Sequence, residues 1–422
     1  MITKNKKQDY SNIKKYLRVV NYLTAAQLYR KDNFFLEREL RHNDIKNRLL
    51  GHWGGATGVN FLLAHLNLYL KNNQKSNPGL RNIMFFLLLG HDFPALQANL
   101  FMEKTLSYFF DKNNKNIKNI FDFDITYNKE GLANMIKHFG SPTGFPTHAS
   151  PDTPGAILEG GELGYSISNA YGSVLDNKDL ISVVMVGDGE AETASVATAW
   201  HSSKFVNTKD NGVVLPVLNL NSYKISGPTI FGRMSDEELK TFFEGHNYEA
   251  IIVDASSDTK ILANKDNYFL EKDNVHILMQ NALDKAFNKI IKLKSTGSIK
   301  GLPVIILKSD KGWTGPKQFN KIKIEGNSES HQVPFENSKI SDIELKELEK
   351  WLKSYKIEEL FNPKLNSTEN KLKKRIGEEQ ELFLKEIEDI IPQKLWRVGM
   401  NNNANHNGKG KLKELKLPEI SN

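Results

Sequence analysis

The sequence of 422 residues contains no cysteine. Without thiols, a chain has no disulfides, no thiol nucleophile, no cysteine-ligated zinc and no iron–sulfur cluster. A metal ion would therefore have oxygen ligands or use some of the 11 histidines. A chain of this length buries enough apolar surface to fold without disulfides or a structural metal.

Long apolar runs are also absent. The longest, such as residues 83–90 and 180–187, are far shorter than the about 20 residues that a membrane-spanning helix needs. The first residues show no charged start followed by an apolar stretch, so the sequence shows no recognisable signal peptide. We therefore expect a cytoplasmic protein that has no membrane partner.

The excess of positive charge is modest, at a formal net charge of +7. Between residues 339 and 385 lysines and glutamates interleave, which is typical of a solvated helix face, although a polyanion-binding stripe is the alternative. No aromatic-laced basic motif or helix-turn-helix pattern is present. We therefore expect no nucleic acid partner, and the positive excess instead suits attraction of a phosphorylated small molecule.

Apolar runs of strand length cover residues 83–89, 180–186, 213–220 and 301–307. Polar or glycine turns follow them, and helical patterns follow several of the turns, which predicts an α/β fold with a mostly parallel sheet. Because the runs are continuously apolar, we expect helices on both faces of the sheet.

The division into domains follows from changes of composition. We predict a helical N-terminal extension over residues 1–47, with a helical pattern from 19 to about 50, and an α/β domain over 48–335. A charged helical segment over 336–400 comes next, with helices at 340–355 and 371–391. The polar residues 401–422 have the composition of a linker or tail.

Polar residues end two of the predicted strands. Gly187, Asp188 and Gly189 follow one strand, and Asn221 follows the next. Neighbouring parallel strands would bring Asp188 and Asn221 together as oxygen ligands for Mg²⁺, which commonly also binds phosphate oxygens. A Gly-Asp-Gly sequence alone is equally typical of a simple turn, but the flanking strands favour a site for a diphosphate and Mg²⁺.

Two further segments carry candidate ligand contacts. Residues 159–165 read Glu-Gly-Gly-Glu-Leu-Gly-Tyr, in which Gly161 allows close backbone approach and Glu162 offers a carboxylate; the alternative is a loop before a capped helix. Lys311 follows the last predicted strand and suits a phosphate contact, although an isolated lysine is more often solvated.

Histidines stand in several probable loops, most of which are marked by glycine or proline. A single histidine of this kind is more often structural than catalytic. Four together favour proton transfer and oxyanion stabilisation. The four are His52, His91, His148 and His331.

Taken in order, these segments resemble phosphoketolase from about residue 48 onward. The matching segments are 51–54, 145–155, 159–165, 187–193, 221–225, 311–317 and 331–334. The Gly-Asp-Gly and asparagine element alone would indicate only some thiamine diphosphate enzyme. The Glu-Gly-Gly-Glu-Leu-Gly-Tyr and Lys-Gly-Trp-Thr-Gly-Pro-Lys segments narrow the resemblance to this family.

The resemblance implies a thiamine diphosphate-binding fold and a carbon–carbon lyase that uses thiamine diphosphate and Mg²⁺. Such enzymes cleave xylulose 5-phosphate, and often fructose 6-phosphate, with inorganic phosphate to acetyl phosphate and an aldose phosphate. The four histidines would then serve proton transfer, dehydration and oxyanion stabilisation. The implied Mg²⁺ ligands are Asp188, Asn221 and the Tyr223 carbonyl. The implied cofactor contacts are Gly161, Glu162, Asp188, Gly189, Glu190, Asn221 and Lys311.

The sequence departs from the family pattern at several positions. Asn169 stands where the family has histidine, and asparagine cannot transfer a proton near neutral pH. Asp92 and Phe93 replace two glycines after His91, so side chains occupy a loop that would otherwise let a ligand approach closely. Gly55 stands where threonine is common.

Phosphoketolases are about twice as long as this chain, and their second half binds the aminopyrimidine of the cofactor and carries the activating glutamate. We therefore expect this chain to be the diphosphate-binding half, acting as a homodimer or with a chain that carries the pyrimidine-binding half. The alternative is a truncated, catalytically inactive remnant that acts as a binding or partner chain. A transketolase-like enzyme would fit the metal element but not the family-specific loops.

Overall fold

A central parallel sheet organises the chain. A computed structural model describes residues 10–109, 122–151, 153–256 and 273–358. The sheet has the strand order β1-β2-β3-β5-β4, and every neighbouring pair is parallel. Its strands are β1 (Ile83–Leu87), β2 (Ile181–Gly187), β3 (Val213–Leu220), β4 (Tyr248–Asp254) and β5 (Leu302–Lys308). A short antiparallel pair follows, β6 (Gln318–Phe319) and β7 (Ile322–Lys323).

The middle of the sheet is covered on both faces. Every residue of β2 and β3 is buried, and successive side chains of a strand point to opposite faces. Helices must therefore pack on each side, which confirms the α/β fold and the parallel sheet. The four predicted strands are confirmed, with small differences at their ends.

In the described residues, helices pack on the sheet and against one another. The first three pack against one another, the sixth packs on β2 and β3, and the tenth packs on β4 and β5. In the described residues no helix has the length and apolar character needed to cross a bilayer. The helices are α1 (Ser11–Tyr29), α2 (Ala56–Asn73), α3 (Phe93–Met102), α4 (Thr105–Phe109), α5 (Lys129–His138), α6 (Ser166–Val174), α7 (Asp188–Ala191), α8 (Ala194–Ala199), α9 (Asp236–Gly245), α10 (Asp273–Thr296) and α11 (Asp342–Lys353).

The helix predicted from residue 19 to about 50 is wrong in its second part. Helix α1 ends at Tyr29, and the chain then takes positive φ angles of 52° at Asn33 and Leu36, which a right-handed helix excludes. Helix α1 is buried along most of its length. The boundaries at residues 47, 335 and 400 stay predictions.

The first helix predicted in the charged segment is present. Helix α11 lies within residues 340–355 and directs Trp351 into the core, where its ring lies 4.8 Å from that of Trp53 and 6.0 Å from that of Tyr29. This contact ties the segment to the α/β core. The helix predicted over 371–391 and the tail over 401–422 lie outside the described residues.

Candidate functional site

Three loops meet beyond the carboxyl end of β1. A Cβ on Gly90 would lie 1.7 Å from the carbonyl oxygen of Gly160, so only glycine permits this backbone contact. The Gly160 amide also donates a hydrogen bond to the Ala149 carbonyl at 2.9 Å. The contact therefore brings together the loops that carry His91, His148 and the Glu-Gly-Gly-Glu segment.

The four predicted histidines form one cluster, which we call the histidine cluster. The ring centroid of His52 lies 5.0 Å from that of His91, 5.7 Å from that of His148 and 5.1 Å from that of His331. The rings of His91 and His331 are 5.7 Å apart. Residues from four separate loops thus surround one point, with His52 at the centre.

Burial keeps the histidine cluster uncharged. It lowers the pKa of His52 to about 4 and that of His331 to about 3, and neighbouring positive groups add to both shifts. The pKa of His91 is also lowered well below its usual value, mainly by burial. A neutral imidazole has one nitrogen that donates and one that accepts a hydrogen bond. The buried Nδ1 atoms of His52 and His331 have no hydrogen-bond partner among the described residues.

A second polar cluster lies where β2 and β3 end side by side. The register pairs Gly187 with Asn219, which places the residues that follow the two strands next to each other. Asp188 is buried, and its Oδ2 accepts hydrogen bonds from the Ser222 amide at 2.6 Å and the Thr229 hydroxyl at 3.1 Å. Burial raises the pKa of Asp188 to about 6, and the charge of Lys311 opposes this rise.

Lys311 connects the two clusters. Its Nζ donates hydrogen bonds to the Tyr223 carbonyl oxygen at 2.9 Å and to Asn221 Oδ1 at 3.5 Å. Its charge also acts on Asp188 in the second cluster and on His52 in the first. Lys311 is buried, and burial lowers its pKa whereas the nearby carboxylates raise it.

The donor set of the second cluster fits a hard divalent cation. Asn221 Oδ1 and the Tyr223 carbonyl already converge on one cationic atom, the Nζ of Lys311, and Asp188 adds a buried carboxylate. Ligands that are all oxygens are what Mg²⁺ prefers. The described residues contain no group of three or more histidine, aspartate or glutamate side chains that could hold a metal, so a cation here would depend on the amide and backbone oxygens.

The remaining predicted contacts differ in exposure. Glu190 is buried in α7, and its Oε1 accepts a hydrogen bond from the Gly164 amide at 3.2 Å. Burial raises the pKa of Glu190, and hydrogen bonds to its carboxylate oppose the shift. Gly189 lies beside it in α7. Gly161 and Glu162 are exposed on the loop whose Gly160 contacts Gly90, so this loop lies beside the site.

One residue of the site was not recognised from the sequence as a contributor. Asp92 is fully buried, and neither of its carboxylate oxygens has a hydrogen-bond partner in the part of the chain that the structure describes. Its Oδ1 lies 3.8 Å from His91 Nε2. Burial raises the pKa of Asp92 to about 7, while the charge of Lys311 lowers it. The available signal was its departure from the glycine of the family pattern.

The family model and the curated relatives agree on the family. Residues 4–409 match the model of the XFP N-terminal domain. A probable phosphoketolase of Chlorobaculum tepidum is 38% identical over 96% of this chain and 46% of its own length. Another, of Mesorhizobium japonicum, is 42% identical over 82% of this chain and 40% of its own length. A solved transketolase from Leishmania mexicana is similar at 15% identity and a TM-score of 0.48, over 82% of this chain and 45% of that one.

The parallel sheet and the polar residues at the carboxyl ends of its strands define an α/β protein with a candidate ligand site at the carboxyl end of the sheet. With the family match across residues 4–409, the chain belongs to the phosphoketolase family and corresponds to its N-terminal domain. It spans about half the length of the curated relatives it matches.

Proposed function

We propose that this chain is the diphosphate-binding half of a phosphoketolase. The reaction is the cleavage of xylulose 5-phosphate or fructose 6-phosphate by inorganic phosphate, with acetyl phosphate and an aldose phosphate as products. It would take place in the cytoplasm and depend on thiamine diphosphate and Mg²⁺. The observation that carries the proposal is the meeting of four histidines beside an all-oxygen donor set, with Lys311 between them.

In this proposal the second cluster binds the metal and the diphosphate. Asp188, Asn221 and the Tyr223 carbonyl would hold Mg²⁺, and Lys311 would contact phosphate oxygens. Thr229 and the Ser222 amide support this role because they fix the Asp188 carboxylate with hydrogen bonds. When bound, thiamine diphosphate would supply the nucleophilic carbon needed for carbon–carbon cleavage.

The histidine cluster would handle protons. At neutral pH its imidazoles are uncharged because burial lowers their pKa values, so each can accept a proton at one nitrogen and donate one at the other. The buried Nδ1 atoms of His52 and His331 have no partner among the described residues, so their hydrogen-bonding capacity is left for a substrate. His148 is the most restricted, because its Nδ1 is hydrogen-bonded to Thr147 at 3.0 Å.

We also propose that the site is completed by a pyrimidine-binding half, in a homodimer or on a second chain. The rim of the site supports this. Large apolar side chains are exposed along the loop at the rim, with 43% exposure at Ile157, 43% at Leu163 and 44% at Tyr165. Large apolar side chains exposed on one loop suit a surface that another chain or domain covers.

The rival function is that of an inactive remnant that binds a partner chain. The replacements at Asp92 and Phe93 favour it, because they put side chains into a loop beside His91. The retained convergence of all four histidines favours catalysis, since a chain under no catalytic constraint has no reason to keep four desolvated imidazoles together.

The experiment is an acetyl phosphate assay with xylulose 5-phosphate and phosphate. We expect negligible product from this chain alone and product formation when the second half of the Chlorobaculum tepidum relative is supplied. His52→Gln, His331→Gln and Asp188→Asn should each abolish that product, whereas exposed Lys209→Gln should not. An inactive mixture in which both halves bind each other would support the rival function.

A further inference from the structure

The buried charged side chains of Lys311 and Asp92 pack against two consecutive glycines, Gly54 and Gly55. A Cβ on Gly54 would lie 2.9 Å from Cε of Lys311, and a Cβ on Gly55 would lie 2.4 Å from Oδ2 of Asp92. Any side chain at these positions would displace the lysine stem or the carboxylate. Close packing of Lys311 and Asp92 therefore depends on the absence of side chains at residues 54 and 55.

The Asp92 carboxylate lacks hydrogen-bond donors within the described residues. It is fully buried, and no described residue donates a hydrogen bond to either oxygen. A buried carboxylate without a donor is strongly unfavourable. Lys311 is the positive group that acts on it, yet the Lys311 ammonium donates its hydrogen bonds to Tyr223 and Asn221 instead.

The ammonium of Lys311 therefore occupies the oxygens that the proposed metal would use. Asn221 Oδ1 and the Tyr223 carbonyl cannot hold Mg²⁺ and an ammonium group at the same place, because two cations at contact distance repel each other. Binding of the metal requires the ammonium to move. A lysine has three N–H donors on a flexible stem. The Asp92 carboxylate, which packs against the neighbouring Gly55, has two acceptor oxygens that no described residue uses.

We propose that Asp92 is a positioning residue that receives the Lys311 ammonium when a divalent cation takes Asn221 and the Tyr223 carbonyl. The inference rests on the proposed metal site and goes beyond it, since it assigns a role to a residue at which the chain departs from the family pattern. In the metal-free protein Lys311 fills the metal position. In the metal-bound protein it pairs with Asp92 and faces the phosphate oxygens.

The test is a double-mutant cycle on metal affinity. Mn²⁺ is titrated calorimetrically into the full chain with thiamine diphosphate for the wild type, Asp92→Asn, Lys311→Met and the double variant. We expect Asp92→Asn to weaken Mn²⁺ binding about tenfold or more, the loss expected when a charged hydrogen bond disappears. In the Lys311→Met background the same substitution should change affinity less than twofold or so, because no ammonium needs a new partner.

Controls separate positioning from folding. Asp92→Ser serves as a second variant, and each protein is checked by its thermal unfolding without metal. Asp236→Asn is the matched control, because it removes the carboxylate that pairs with Lys308 at 2.8 Å at the end of β5, and it should leave Mn²⁺ affinity unchanged.

The outcomes are distinguishable. Equal losses with and without Lys311, or no loss at all, would overturn the role of Asp92 while leaving the metal site in place. Absence of Mn²⁺ binding by the wild type, or binding that survives Asp188→Asn, would overturn the metal site and this inference with it.

Discussion

Replacement of Gly90 by alanine tests whether the loops of the site depend on backbone contact. The new Cβ would lie 1.7 Å from the Gly160 carbonyl oxygen and 2.2 Å from its carbonyl carbon. Carbon atoms in contact are about 3.5 Å apart, so the loop must shift by more than an ångström. Overpacking of this kind costs about 1–3 kcal/mol of the free energy of unfolding.

Gly172→Ala is the matched control because it makes the same chemical change in helix α6. Nothing lies within 4 Å of a Cβ at Gly172, and alanine in a helix is about 0.5–1 kcal/mol more favourable than glycine. The two variants should therefore shift the free energy of unfolding in opposite directions and differ by roughly 2–4 kcal/mol. Urea denaturation followed by tryptophan fluorescence measures both. Equal stabilities, or a stabilised Gly90→Ala protein, would refute the contact.

Three further predictions concern the core. Burial lowers the pKa of His65, whose Nε2 is hydrogen-bonded to Nδ1 of His276 at 2.9 Å. As the pH drops below about 6.5, His65 takes up a proton only in the unfolded state, so the free energy of unfolding should fall. Urea titrations of His65→Phe at several pH values should show a shallower fall. Lys46→Met should cost about 2–4 kcal/mol in thermal unfolding, because three backbone carbonyls lose their donor. Tyr171→Phe should cost about 1–3 kcal/mol in urea by leaving Tyr248 unpaired, and the double Phe variant should recover most of that loss.

Four of the five strands of the sheet could be predicted because they are continuously apolar. Strand β4 could not, because most of its residues are only partly buried and polar residues such as Glu249 interrupt its apolar pattern. The end of α1 at Tyr29 was missed because apolar residues such as Phe34 and Phe35 continue beyond it. They pack on the core from a loop, not from a helix.

The residues of the candidate site could mostly be predicted from the sequence, but part of their arrangement in space could not. Glycine or proline marks most of the loops that carry the four histidines, and the structure places the other three rings around that of His52. Lys311 donates hydrogen bonds to Asn221 and Tyr223, and Asp92 packs against Gly55. Both contacts depend on the directions of side chains in loops that are distant along the chain. No spacing or periodicity encodes such directions.

The central claim is that the ends of β2 and β3 hold a divalent cation that binds a diphosphate. The most direct measurement is an anomalous difference map from crystals of the full chain grown with Mn²⁺ and thiamine diphosphate. We expect a single strong peak within about 2–2.5 Å of Asp188, Asn221 Oδ1 and the Tyr223 carbonyl, with Lys311 Nζ withdrawn from both of the latter. A well-ordered map with Lys311 still on these oxygens and no peak beside Asp188 would contradict the account.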